Sequence, residues 1–180
     1  MSGSLSRRDF LKAASVGLGG LAINSWPRNL MLPEFPEAGR LGRVIGGRVP
    51  VKARPDIDSE DVGVLWDDEV VPWLREVIGS RPMWHSQRFI EIPDGYVYAP
   101  NLHPVRNLPN LPLGELPQPE GMWVEVTIPY VDLILDNPPA RSPWLKHTQT
   151  PRLYYSQILW VDGIRQDESG ETWYRVKEKD

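Results

Sequence analysis

The sequence predicts a mostly β protein: two small barrels joined by a proline-rich linker, the second lacking its closing strand. Three observations lead there. Proline makes up 19 of 180 residues, about twice its usual share of ~5%, and inside a helix each one removes a backbone donor and clashes with the preceding turn. Short Val-rich and aromatic runs recur at about ten-residue spacing between clusters of Gly, Pro and Asp, the rhythm of a small barrel. Finally, Val124, Val126, Ile128 and Tyr130 alternate with Trp123, Glu125, Thr127 and Pro129, which is the period of a strand.

The chain opens with an address. Ser6-Arg7-Arg8-Asp9-Phe10-Leu11-Lys12 fits the twin-arginine export pattern S/T-R-R-x-F-L-K at every specified position, with Arg7, Arg8, Phe10 and Leu11 as its signal residues. Ala13 to Ile23 follows as a weakly hydrophobic stretch with three glycines. It is too short and too mild to cross ~30 Å of hydrocarbon as a stable helix. Residues 1–26 therefore form the signal segment, the twin-arginine translocase is the expected export partner, and the expected destination is the cell envelope or the medium. Residues 27–40 are a proline-interrupted linker.

Residues 41–107 form the first β region. Val44, Val49 and Val51 start short runs, Pro55 to Asp61 is a polar loop, and Val62 to Trp66 is a strand. Asp67-Asp68-Glu69 makes a turn, and Val70 to Val77 is a longer strand interrupted at Pro72. A strand from Trp84 to Ile92 leads to the turn Pro93-Asp94-Gly95 and a last strand, Tyr96 to Tyr98. Residues 108–121 hold four prolines and form a stiff, extended linker. Residues 122–180 form the second region, whose last strand is "ETWYRV". The first region continues through a D-G turn into "YVYAPNL", whereas only Lys177 to Asp180 follow here, so the second region is expected to lack its closing strand.

Composition excludes several functions. There is no Cys, which removes disulfides, thiolate nucleophiles and Cys-ligated metals. The net charge is −4 and grows more negative once Arg7, Arg8 and Lys12 are set aside, so nothing favours nucleic acid or anionic lipid. No cofactor and no metal is expected.

The run "GRVIGGRVPVKARP … VGVLWDDEVVPW … GYVYAPNLHPVRN" resembles bacterial SH3-like (SH3b) domains. Val49, Val51, Arg54, Pro55, Val62, Gly63, Leu65, Trp84, Gly95, Tyr96, Val97 and Leu102 stand at the matching places. Adding the export signal, the linker and "LYYSQILWVDGI…WYRV", the layout resembles the N-terminal, non-catalytic half of exported L,D-transpeptidases of the YkuD family. The resemblance implies two SH3-like barrels and a role in binding or positioning against peptidoglycan or a cell-envelope protein. That family's catalytic domain uses a Cys nucleophile. With no Cys here, no residue inherits the role, and this chain is expected not to be an enzyme. The alternative expectation is a truncated or split transpeptidase whose catalytic part is encoded downstream.

The candidate ligand-binding residues are rings. Trp73, Trp84 and Tyr98 lie near turns or strand ends, where a ring can stack on a sugar or line a peptide groove at little entropic cost. The competing reading is that small barrels fill their few core positions with large rings. Asp67-Asp68-Glu69 lacks calcium-loop spacing, Asp132 and Asp136 sit in a non-helical, proline-flanked context that does not make a glycosidase pair, and His103 and His147 have no identifiable nucleophile partner.

Overall fold

The computed structural model describes residues 34–133, 151–168 and 170–176, and among these the chain is mostly β, with one turn of 3-10 helix. The described residues form two compact units, 34–107 and 108–176. The segment 1–26 read as an export signal, and Trp144, His147 and Asp136, lie outside the described residues. Among those described, no helix is long and apolar enough to cross a membrane.

In the first unit, β1 (Leu41–Val44), β2 (Val49–Lys52), β3 (Asp61–Leu65) and β4 (Val70–Pro72) are followed by β5 (Arg75–Ile78), β6 (Arg88–Ile92), β7 (Gly95–Tyr98) and β8 (Leu102–Val105). All pair antiparallel, in two sheets of order β4-β1-β8 and β3-β2-β7-β6-β5. The strand spacing predicts a barrel, but these ladders do not join into a closed one. Proline placement is one reason, because a residue without an N–H belongs at an edge. Pro72 and Pro104 stand on the edge strands β4 and β8, and β2, which carries Pro50, meets β7 only at Lys52 and Tyr96.

Three elements differ from expectation. The strand expected to be last, Tyr96 to Tyr98, is followed by β8, which pairs with β1. Val70 to Val77 is not one strand: β4 lies in one sheet and β5 in the other. At the corner the Trp73 N–H donates to the Arg40 carbonyl and the Leu74 N–H to the Glu91 carbonyl. The strand expected from Trp84 starts only at Arg88, and residues 79–87 form a loop instead. Both sheets share one core of Val44, Val49, Val51, Trp73, Ile90, Ile92, Val97 and Leu102. Each such side chain contributes about 1.5–3 kcal/mol by leaving water. Strand β6 is buried on both faces: Ile90 and Ile92 enter this core, while Phe89, also fully buried, points the other way beneath the 79–87 loop.

In the second unit, β9 (Met122–Glu125), β10 (Tyr130–Asp132), β11 (Arg152–Tyr154), β12 (Ile158–Gln166) and β13 (Thr172–Val176) form two sheets, β13-β12-β9 and β10-β11. The expected alternation breaks at Val126 to Pro129, where four successive residues are buried. The segment 108–121 does not hang free. The Leu108 N–H donates to the Thr127 carbonyl, the Thr127 hydroxyl to the Leu108 carbonyl, and the Leu113 N–H to the Tyr174 hydroxyl at 2.7 Å. Prolines keep this stretch extended, so its remaining polar groups face outward and take partners from the unit it lies on.

Burial pushes the Tyr174 phenol above its ordinary pKa, opposed in part by the Leu113 N–H. A raised folded-state value gives stability that is fully present below the unfolded tyrosine value of ~10 and is lost as pH rises through the folded one. The thermal stability of the chain is therefore expected to fall progressively above about pH 10. Tyr174→Phe should remove that part of the alkaline loss, at a cost of about 1 kcal/mol near neutral pH for the unanswered Leu113 N–H. Equal alkaline slopes in melting curves of the two proteins would refute this.

Candidate functional site

The 79–87 loop between β5 and β6 carries Met83, the most exposed large hydrophobic side chain of the described first unit, together with the exposed Trp84. Its ends are tied to the framework. The Gly79 N–H donates to the Gln87 carbonyl, the Ser80 N–H to the Pro55 carbonyl, and the Ile57 N–H to the Ser80 carbonyl. Its centre is closed by Gln87, whose side-chain carbonyl accepts the Arg81 N–H at 2.7 Å and whose amide donates to the carbonyls of Arg81 and Trp84 at 2.7 and 3.1 Å. The Tyr98 hydroxyl adds a bond to the Ser86 carbonyl at 3.1 Å.

This frame leaves Met83 fully exposed and Trp84 58% exposed. Met83 has φ +69°, a left-handed conformation that a long side chain occupies only at an energetic cost. Beneath them β6 and β7 pair so that Phe89 faces Tyr98, with ring centroids 5.6 Å apart. Tyr98 in turn meets Trp84 edge-on at 6.5 Å and 79°. The Arg81 guanidinium carbon sits 4.2 Å from the Trp84 ring centroid and 4.0 Å from that of Tyr98. A cation held over two ring faces is stabilised by their quadrupoles.

The expected ring residues thus separate. Trp84 and Tyr98 come together, Trp84 at the surface and Tyr98 as its nearly buried support, 7% exposed. Trp73 does not join them. It is 8% exposed and part of the core, with the Arg40 guanidinium over its ring at 4.1 Å, because the corner between β4 and β5 turns it inward. The ring is a packing residue in this fold, not one offered to a ligand.

Sequence reasoning missed Arg81. Its signal was present: from Val77 through Ile90 there is no Asp or Glu, although the chain has 24 of them. Arg88, in the same run, is paired with Glu76 at 2.9 Å. Among the described residues no carboxylate pairs with Arg81, and its buried Nε has no hydrogen-bond partner.

The acidic candidates have structural employment. Asp68 is paired with Arg43 at 2.5 Å, Asp67 accepts the Gly46 N–H, and Asp132 is paired with Arg152 at 2.6 Å. Among the described residues no three of His, Asp and Glu converge as a metal site would require. In the second unit Trp123 and Trp160, opposite each other on β9 and β12, meet edge-on at 5.3 Å. Trp123 is exposed, and among the described residues no cation stands over this pair. The loop of the first unit is the better candidate, since it combines an exposed ring, an exposed apolar chain and a cation in one braced turn. No family model, no curated protein and no solved structure matches the chain.

Proposed function

We propose that this chain is an exported, non-catalytic module of the cell envelope that binds or positions against peptidoglycan. The observation that carries the reading is the braced 79–87 loop, which presents Trp84 and Met83 outward with the Arg81 guanidinium over the rings. Exposed rings on a rigid turn suit sugar and peptide ligands, because little conformational entropy is lost on contact. The twin-arginine pattern around Arg7 and Arg8 supports the location. The SH3b-like order of motifs supports the partner.

Cosedimentation with purified sacculi tests it. The purified chain is expected to pellet with the wall material, and Trp84→Ala to remain largely in the supernatant. Because the Trp84 ring is mostly solvent-exposed, that variant should keep its melting temperature within a few degrees, on the order of 0.5 kcal/mol. If the unmodified chain stays in solution where a wall-binding control sediments, the proposal is wrong.

A further inference from the structure

We infer that Arg81 is the anchor for the free C-terminal carboxylate of a short peptide whose last residue is small and apolar. The inference rests on the peptidoglycan reading for the origin of the ligand, since wall stem peptides belong to this chemical class. The chemistry of recognition rests on the loop alone.

Four features of the loop converge. First, the Arg81 guanidinium lies over the Trp84 and Tyr98 rings, and among the described residues no carboxylate pairs with it. A planar carboxylate is the group whose geometry matches the guanidinium fork. Second, the local charge favours an anion. Arg81 and His85 stand in a stretch without a single acid, and the nearest acidic strand residues, Glu76 and Glu91, are engaged by Arg88 and Arg75. Asp56, which bridges to Ser80 at the loop's base, directs its carboxylate to the Asp58 N–H.

Third, the surface beside the cation is apolar. Trp84 and Met83 are exposed next to Arg81 in the chain, so a small side chain carried by the same residue as the carboxylate has a ring and a thioether to pack against. A glycan would use the ring but has no need of the cation. Among the described residues Arg81 is one cation without a carboxylate partner, which balances the single charge of a carboxylate better than a phosphate dianion. Fourth, the loop is already ordered by Gln87 and by the Tyr98 hydroxyl. Binding therefore need not pay for folding it.

The test uses the full chain and four soluble probes followed by ligand-observed NMR: N-acetyl-D-Ala-D-Ala, its C-terminal amide, a chitin trisaccharide and inorganic phosphate. The acid is expected to bind about tenfold or more tightly than the amide, the difference one charge-assisted contact supplies. The trisaccharide and phosphate should not displace it. Arg81→Gln should abolish the acid–amide difference, and Arg81→Lys should keep part of it, because Lys retains the charge without the fork.

Equal binding of acid and amide to the unmodified chain, or no binding of either, overturns the inference even if Arg81→Gln proves unable to fold. Displacement by phosphate at equal concentration overturns it in favour of a general anion site. Failure here with sacculi still pelleting the chain leaves the wall-binding reading standing, whereas peptide binding without pelleting does the reverse.

Discussion

Gly79→Ala is expected to destabilise the 34–107 unit by about 3 kcal/mol, which for a unit of this size lowers the melting temperature by on the order of 15 °C. A Cβ at this position would lie 1.9 Å from the Pro55 carbonyl oxygen and 2.6 Å from Cδ2 of Phe89. Neither neighbour can step aside cheaply. The Pro55 carbonyl accepts the Ser80 N–H at 2.8 Å, and the Phe89 ring is fully buried against Tyr98. Relief of the clash therefore has to move the loop's attachment to the 55–57 segment, at a further cost of about 1 kcal/mol per broken bond. Gly114→Ala is the control, because nothing lies within 4 Å of a Cβ there. Thermal melts of the two variants should separate widely. A Gly79→Ala protein within about 0.5 kcal/mol of the parent would show that the backbone relaxes freely. The same variant should also lose sacculus binding, since Gly79 anchors the loop that carries Arg81 and Trp84.

Asp68→Ala is expected to cost about 3 kcal/mol as well, for an electrostatic reason. The Asp68 carboxylate lies 2.5 Å from Arg43, and both side chains are about nine-tenths buried. Arg43 sits in the middle of β1, between β4 and β8, so its guanidinium cannot swing into water without opening the sheet. Removing the carboxylate takes its 2.5 Å partner from a largely buried charge, which is worse than replacing both groups together. Asp68 also has φ +67°, a conformation that Asp and Asn tolerate and Ala does not. Three variants resolve the contributions. Asp68→Asn keeps the backbone preference and loses the charge, so it should fall between parent and Ala. The double variant Arg43→Met with Asp68→Asn should recover part of the loss, with a coupling energy of about 1–3 kcal/mol in the cycle. Strict additivity of the two single changes would refute the pairing argument.

Much of the site was hidden from the sequence by one misread strand. Trp84 to Ile92 has the aromatic and apolar content of a strand, yet only Arg88–Ile92 pairs with β5 and β7. The first half is claimed by Gln87, whose amide satisfies Arg81 and Trp84 backbone groups that a longer ladder would otherwise have used. Such a side-chain clasp has no periodicity to detect. Trp73 failed in the opposite direction. Its place near a turn or strand end made it a candidate for ligand contact, but the chain crosses between sheets there and the ring becomes core.

Composition and spacing by themselves determined that the protein is built of short strands. Nineteen prolines leave no room for long helices, and the Gly, Pro and Asp clusters mark most of the turns. The absence of Cys likewise removes thiol chemistry. What only the tertiary structure decided is which rings are walls and which are surface. Trp73, Trp84 and Tyr98 are alike in a one-dimensional reading, because each stands near a turn. Their fates depend on which distant strand lies across them, and pairing between β6 and β7 sets Phe89 and Tyr98 as the floor on which Arg81 and Trp84 rest. Burial is a long-range property, so residues far apart in the chain decide it together.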